Sequence, residues 1–243
     1  MIHDAGDDAS PDLEETAAWQ RQVLALEARG RVTRTFRRLD PDRQRAVVDA
    51  VIDEIAEHGP AAVQVKRIAE RAGVSVGSLY QYFPRREGML DAAVEMTTGF
   101  LTASLDSYAP FMAELPLREG LRCYLSEGIE WSASYTSWLG LFARAAYSGT
   151  PGYADTLVRP VAGALQRMLR ALLTGARDRG DLRPDLDLET AVRLVHTLTI
   201  AVGDAELMPH LNDYYLLLDA DHPPERIREA TVELIVRAIG RQP

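Results

Sequence analysis

Residues 65–90 read VKRIAERAGVSVGSLYQYFPRREGML and decide the fold. Two short stretches with helical spacing of their apolar residues are separated there by the turn Gly73-Val74-Ser75. Glycine tolerates the positive φ that ends a helix in such a turn, and Ser75 is a favourable N-cap for the helix that follows. The residues predicted to form the small core between these helices are Ile68, Ala69, Leu79 and Phe83. The pattern predicts a helix-turn-helix, whose second helix enters the major groove of DNA.

Longer helices are predicted on both sides of this motif. Residues 41–57, PDRQRAVVDAVIDEIAE, carry apolar side chains on one face of a helix with 3.6 residues per turn. Asp40-Pro41 supplies an N-cap and a first helical residue, and Gly59-Pro60 is a stop signal. A further helix is expected to begin near Arg86 and to continue past Phe100.

The rest of the chain also has helical periodicity, and no segment alternates with a period of two, so the predicted fold class is all-α without a sheet. Residues 13–30 form a possible additional helix in front, and residues 1–12 are expected to be disordered. The helices predicted after Pro116 cover roughly 117–135, 137–147, 152–179, 187–207 and 224–240, with Gly- and Pro-rich breaks between them.

A set of short motifs follows the same order through residues 43–90: Glu57-His58-Gly59, IAERAGVS at 68–75, GSLYQYF at 77–83, Arg86-Glu87 and Leu90. With these motifs the stretch resembles the DNA-binding domain of the TetR family of transcriptional regulators. The sequence departs from the family at Gln64, where Thr or Ser often caps the second helix. It departs again at Arg85, where Ser, Asn or Thr is common. Each departure weakens an expected N-cap by ~1 kcal/mol.

The resemblance implies three regions. Residues 1–39 are assigned to an acidic disordered start and an Arg-rich leader helix, and residues 40–88 to the helix-turn-helix DNA-binding domain. Residues 89–243 are assigned to a larger helical domain for effector binding and dimerisation. The resemblance further implies a homodimer on a palindromic double-stranded DNA operator and a small-molecule effector.

The charge distribution agrees with a local DNA-binding face. The whole chain has a formal net charge of −9, which excludes a globally basic nucleic-acid binder. Residues 31–90 carry 11 basic and 8 acidic side chains, so their net charge is +3 and that of the other 183 residues is −12. A solvated helical surface would explain the same charges, and the charges alone leave both interpretations open.

The resemblance and the chemistry of phosphate binding select a set of candidate DNA contacts: Lys66, Ser75, Val76, Gly77, Ser78, Tyr80, Gln81, Tyr82 and Arg86. Hydroxyls and amides at a helix start are good phosphate donors. Val76, Gly77 and Gln81 are the candidates for contact with base edges, because Gln can bond adenine and Val can touch a thymine methyl. Alternatively Tyr80 packs under the next helix, Gln81 faces solvent, and Lys66 is simply solvated.

The Arg-rich residues 29–38 have two interpretations. As a basic arm they would enter an adjacent minor groove. Otherwise they are a charged leader helix or linker.

The resemblance also implies a small-molecule cavity among the middle helices, which are rich in aromatic residues. The candidate effector contacts are Trp131, Tyr135, Trp138, Phe142, Met168 and His196, with Met112 as a further wall residue. The alternative is an ordinary aromatic core. Ligand pockets are mostly apolar, so the expected effector is apolar or aromatic.

A dimer interface is expected on the last two helices, where apolar residues recur at helical spacing: Val192, Val195, Leu198, Thr199, Val202, Ile227, Thr231, Leu234, Ile235 and Ala238. Packing two such helices from each subunit would give a four-helix bundle. The alternative is that both stripes face only the core of one chain.

Other classes of protein fit poorly. The five histidines form neither HxxxH nor HExxH, and GxGxxG, GxxxxGK[ST] and GxSxG are absent, so we predict no metal, no cofactor and no enzyme activity. The single cysteine, Cys123, fits a reducing cytoplasm. No apolar stretch reaches the ~18–20 residues that span a bilayer, and the acidic start is no signal peptide.

The sequence therefore predicts a ligand-responsive TetR-type regulator, a repressor by preference. The open alternatives are a helix-turn-helix protein without a small-molecule effector and, less in keeping with the motifs, an all-α enzyme.

Overall fold

A computed structural model of the protein describes residues 11–133, 136–147, 149 and 152–241. These residues form thirteen α-helices and no strand, which confirms the predicted all-α class. Short 3-10 or π-helical turns occur at Pro60–Ala62, Cys123–Glu127 and Ala154–Val158. The helices are α1 (Pro11–Ala28), α2 (Arg34–Arg37), α3 (Pro41–His58), α4 (Val65–Arg71), α5 (Val76–Tyr82), α6 (Arg86–Glu114), α7 (Leu117–Arg122), α8 (Gly128–Ala133), α9 (Thr136–Tyr147), α10 (Arg159–Asp178), α11 (Leu188–Leu207), α12 (Pro209–Tyr215) and α13 (Pro224–Ile239).

The local signals at the helix ends act as the sequence predicts. Asp40 caps α3 by accepting the Arg43 N–H at 2.9 Å. Ser75 caps α5 by accepting the Ser78 N–H at 3.0 Å. Gly73 ends the preceding helix with φ of +64°, in the left-handed region that glycine tolerates best. The two short helices on either side of the predicted turn therefore form as expected.

Contacts divide the described chain into two compact units. The first contains the described residues up to 104 together with 137–161, and the second contains 105–136 and the described residues from 162 onward. The first unit therefore includes α1–α5, most of α6, and α9. The second includes α7, α8, α11, α12, α13 and most of α10.

One buried glutamine joins three helices of the first unit. Gln44 on α3 accepts the indole N–H of Trp19 at 3.1 Å, while its own amide donates to the carbonyls of Phe36 and Arg37 at 3.2 and 3.1 Å. Its side chain is fully buried, and a buried amide is costly unless it is hydrogen-bonded. The leader helices α1 and α2 are therefore folded against α3.

The second unit is held by apolar packing and by ion pairs between its helices. Gly120 on α7 allows close approach, because a Cβ at this position would lie 2.1 Å from a Leu172 methyl group. Arg122 on α7 donates from Nε and Nη2 to the carboxylate of Glu229 on α13. This bidentate pair raises the pKa of Arg122 and, despite some desolvation, lowers that of Glu229.

Candidate nucleic-acid interface

Helix α5 has one buried face and one exposed face. Leu79 and Phe83 are buried, as the motif requires. On the other side Val76 is 40% exposed and Tyr80 50% exposed, and Gln81 is exposed as well. Contiguous exposed apolar side chains often mark a surface that a partner covers. The outward face of α5 is therefore accessible to a binding partner.

The start of α5 presents several polar groups. Ser75 and Gly77 are exposed and Ser78 is half-buried. The hydroxyls of Ser75 and Ser78 lie 2.9 Å apart, and Ser75 also holds the first turn by its cap. An added Cβ at Gly77 would meet only Ser75 Oγ, at 3.6 Å. The backbone at Gly77 is thus open to close approach.

An ion pair that the sequence did not reveal fixes α4 relative to α3. Glu54 is fully buried and accepts from Arg67 Nε at 2.9 Å and from the backbone N–H of Gln64 at 2.9 Å. Burial by itself would raise the pKa of Glu54, but these hydrogen bonds hold it below its ordinary value. The same contact raises the pKa of Arg67. The guanidinium group of Arg67 is therefore engaged by Glu54.

Three of the predicted DNA contacts differ in their exposure and in their partners within the protein. Tyr82, expected to face outward, is 8% exposed, and its ring lies 6.0 Å from that of Phe36 in the leader. Arg86 is half-buried and donates to the Val63 carbonyl at 3.0 Å. Lys66 is exposed, with its ammonium 3.8 Å from Glu70. Of the candidate contacts on α5, Tyr82 alone is buried.

Helix α9 packs on α3 and α6 within the first unit. The Trp138 indole N–H donates to Asp49 Oδ1 at 3.1 Å, and the ring meets Phe100 edge-on at 5.3 Å. Burial raises the pKa of Asp49, although the hydrogen bond from Trp138 opposes that shift. Phe142 is half-buried in the same helix. Trp138 is therefore part of the packing of α9 against α3 and α6.

The other predicted effector contacts lie in the second unit or outside the described residues. Trp131 is half-buried, and Met168 and Met112 are buried. His196 Nδ1 lies 3.4 Å from the hydroxyl of buried Tyr124, and burial lowers the pKa of His196. Tyr135 lies outside the described residues.

The predicted dimer residues divide into a buried and a more exposed group. The buried ones are Val192, Val195, Thr199, Val202, Thr231 and Ile235. Leu198 and Ile227 are half-buried, while Ala238 is exposed and Leu234 is 59% exposed. Leu194, which the sequence pattern did not select, is 66% exposed on α11. The apolar residues exposed on α11 and α13 are therefore only partly those predicted for the dimer interface.

Among the described residues, we find neither a helix long and apolar enough to cross a membrane nor a group of three potential metal-ligating side chains. Burial and the nearby Glu127 raise the pKa of the Cys123 thiol to about 11. Because the thiolate is the reactive form, Cys123 has little nucleophilic character at neutral pH.

Comparison with known proteins agrees with this geometry. Residues 47–93 match the family described as "Bacterial regulatory proteins, tetR family". Over 180 residues the chain is 27% identical to the HTH-type transcriptional regulator BetI 1 of Chromohalobacter salexigens, covering 65% of this chain and 89% of the relative. Over 101 residues it is 30% identical to the HTH-type transcriptional repressor KstR of Mycobacterium tuberculosis, covering 42% of this chain and 43% of the relative.

Solved structures share the fold at lower identity. The transcriptional regulator FadR of Bacillus subtilis, in complex with stearoyl-CoA, is 21% identical with a TM-score of 0.55, covering 79% of this chain and 97% of that chain. A complex of SmeT with triclosan is 16% identical with a TM-score of 0.64, covering 83% of this chain and 93% of that chain. SmeT is described as the repressor of the Stenotrophomonas maltophilia multidrug efflux pump SmeDEF.

Proposed function

Because the chain belongs to the TetR family of transcriptional regulators through its DNA-binding domain, we propose that it represses transcription by binding a palindromic operator as a homodimer. A small apolar or aromatic effector releases the DNA in this proposal. The relatives in the comparison are regulators, and KstR and SmeT are named as repressors. Those names support repression here by analogy.

The observation that carries the DNA-binding part is the two-sided character of α5. Its inner side is anchored by Leu79 and Phe83, and its outer side exposes Val76, Tyr80 and Gln81. A helix of this kind that follows a tight turn reads bases from the major groove. The Ser75 hydroxyl and the open backbone at Gly77 provide phosphate donors at its start.

The homodimer is proposed on the apolar residues of α11 and α13 that are exposed or half-buried in the single chain. On α11 these are Leu194, Leu198 and Ala201, and on α13 they are Ala230, Leu234 and Ala238. Both sets recur at spacings of three or four residues and therefore share a helix face. Two such pairs would bury each other in a four-helix bundle. Two-fold symmetry then matches two recognition helices to successive major grooves.

The effector proposal is centred on polar and apolar residues of the second unit. Burial favours the neutral forms of Tyr124 and His196, since it raises the pKa of the phenol and lowers that of the imidazole. Neutral hydrogen-bonding groups together with Trp131 and Met168 in the candidate set suit an uncharged or apolar ligand. The complexes of FadR with stearoyl-CoA, whose acyl chain is apolar, and of SmeT with triclosan support an apolar group in the ligand by analogy.

In vitro selection from random DNA tests the binding of an operator. Purified protein is mixed with a random duplex library, and bound DNA is amplified and sequenced over successive rounds. The proposal predicts enrichment of an inverted repeat whose half-site centres lie about one or two helical turns apart, multiples of ~10.5 base pairs. Recovery of DNA without any common motif would contradict it.

Thermal-shift screening then tests the effector. A ligand that binds the folded protein raises the melting temperature by mass action. The proposal predicts that at least one apolar compound raises the melting temperature and releases the selected DNA. A compound that stabilises the protein but leaves DNA binding unchanged would identify a ligand without the regulatory role. Absence of any such compound across a broad apolar panel favours the regulator without a small-molecule effector.

A further inference from the structure

The leader is fastened to the end of the recognition helix α5. The backbone N–H of Thr33 donates to the Tyr82 carbonyl at 2.9 Å, and its hydroxyl donates to the Gln81 carbonyl at 2.6 Å. The last carbonyls of a helix have no partner within it, so Thr33 supplies two of the missing donors. Phe36 packs its ring 5.2 Å from that of Phe83. We call residues 29–38 the basic strap.

The arginines of the basic strap fall into two groups. Arg29 and Arg31 pair with Glu95, and Arg37 pairs with Glu27. Arg34 and Arg38 are exposed, and the described residues provide neither with an ion-pair partner. These two cations are positioned by the same contacts that hold the strap, in a chain whose net charge is −9.

Arg34 and Arg38 also share one side of the strap. Arg34 follows Thr33 directly, so its backbone lies one residue from the contact with α5. Positions separated by four residues share a helix face, and Arg38 retains right-handed helical backbone angles at the end of α2. Phe36, between them, is buried on the other side of the turn. Both side chains are exposed, and the backbone of Arg34 lies next to Thr33, whose hydroxyl contacts the Gln81 carbonyl.

We propose that Arg34 and Arg38 bind phosphates of the DNA strand that borders the groove occupied by α5. The leader is then a rigid second part of the DNA-binding surface, and not a flexible arm that threads the minor groove. This inference rests on the proposed function, because it requires α5 to bind DNA. The planar, charged guanidinium group can donate two hydrogen bonds to phosphate oxygens. A folded helical turn can present such groups to the DNA backbone without entering a groove.

The test compares salt dependence of binding to the selected DNA. The double variant Arg34→Ala/Arg38→Ala removes both charges, and Arg21→Ala/Arg183→Ala removes two exposed arginines that lie outside the strap. Each lost phosphate contact reduces the slope of log K against log salt by about 0.9. We expect the strap variant to lose about two in slope for each bound protomer, and the control variant to match wild type.

The outcomes separate the two proposals. If wild type selects no DNA, the proposed function fails and this inference fails with it. If wild type binds but the strap variant keeps the slope of the control, only the inference is overturned. A weaker affinity with an unchanged slope also overturns it, because phosphate contacts act through released counterions. Arg34→Lys/Arg38→Lys retains the charges and is expected to restore the slope, and failure to do so contradicts a phosphate role.

Discussion

The indole N–H of Trp138 on α9 donates to Asp49 on α3 across 3.1 Å, joining residues 89 positions apart. A second bond follows along the same pair of helices, where Arg144 Nη2 donates to the Ala56 carbonyl at 2.8 Å. Gly140 lies between them, and a Cβ there would be in ordinary contact with Ala56 at 3.8 Å. Helix α9 is thus part of the packing that supports the DNA-binding motif.

Asp49→Asn tests the energetics of this contact. Burial raises the pKa of Asp49 in the folded protein, so the folded state binds this proton more tightly than the unfolded state does. The contribution of Asp49 to stability is therefore greatest at low pH and falls as pH rises through the raised pKa. Asparagine keeps an acceptor for Trp138 but does not titrate.

We expect the stability of wild type relative to Asp49→Asn to decline as pH rises above about 4, the ordinary pKa of an aspartate. Urea denaturation of both proteins at several pH values measures this difference. A difference that is constant across the range, or that grows in favour of wild type with pH, would contradict the burial of an unfavourable charge at Asp49.

Glu54→Ala tests the internal pairing of the motif. The change leaves Arg67 and the Gln64 N–H without their acceptor, and we expect a loss of about 2 kcal/mol in the free energy of unfolding. Glu57→Ala is the matched control, because Glu57 is exposed and pairs with Arg71 at the surface. We expect the control to cost much less, as surface pairs contribute little. Equal losses in denaturant titration would show that burial of Glu54 is unimportant.

Gln44→Leu tests whether the leader depends on the buried amide. Without it Trp19 loses its acceptor, and the carbonyls of Phe36 and Arg37 lose their donor. An unsatisfied buried polar group costs about 1–3 kcal/mol, so cleavage by trypsin at the arginines of residues 29–38 should accelerate by about tenfold or more. Gln166→Leu in the second unit controls for the substitution itself, and cleavage at the same rate in both variants would argue against the Gln44 connection.

Leu194→Glu/Leu234→Glu tests the proposed dimer. Both leucines are exposed in the single chain, so the charges are tolerated by the fold but repel across an apolar interface. We predict a monomer by sedimentation analysis, with melting behaviour that no longer depends on protein concentration. The control Leu24→Glu changes another exposed leucine, on α1. A double variant that sediments as wild type does would move the interface elsewhere.

Much of the DNA-binding motif could be predicted because its signals are local. Gly73 and Ser75 define the turn through backbone conformation and capping, and the apolar spacing around Leu79 defines the inner face. The pairing of Glu54 with Arg67 is not local, since the two residues lie on different helices. Sequence alone therefore could not separate Arg67 from an arginine that is free to bind phosphate.

Other features escape sequence analysis for equally physical reasons. Helix α2 has only four residues, which is too few for a periodic pattern. Its position depends on the contacts of Thr33 with Gln81 and of Phe36 with Phe83, which are distant in sequence. The spacing of apolar residues within α5 predicts that Tyr82 faces outward. That spacing carries no information on the leader, whose Phe36 lies against the Tyr82 ring. On α11 both faces carry apolar residues, so periodicity could not show that Val195 is buried and Leu194 exposed.

The most direct test of the account is the affinity of Gln81→Glu for the selected operator. The change is nearly isosteric and places a negative charge on the exposed face of α5, so folding should be unaffected. We predict at least about a tenfold loss of affinity, while Gln166→Glu, the same chemical change in the second unit, binds as wild type does. Binding by Gln81→Glu that equals wild type across a range of salt concentrations would contradict the claim that this face of α5 meets DNA.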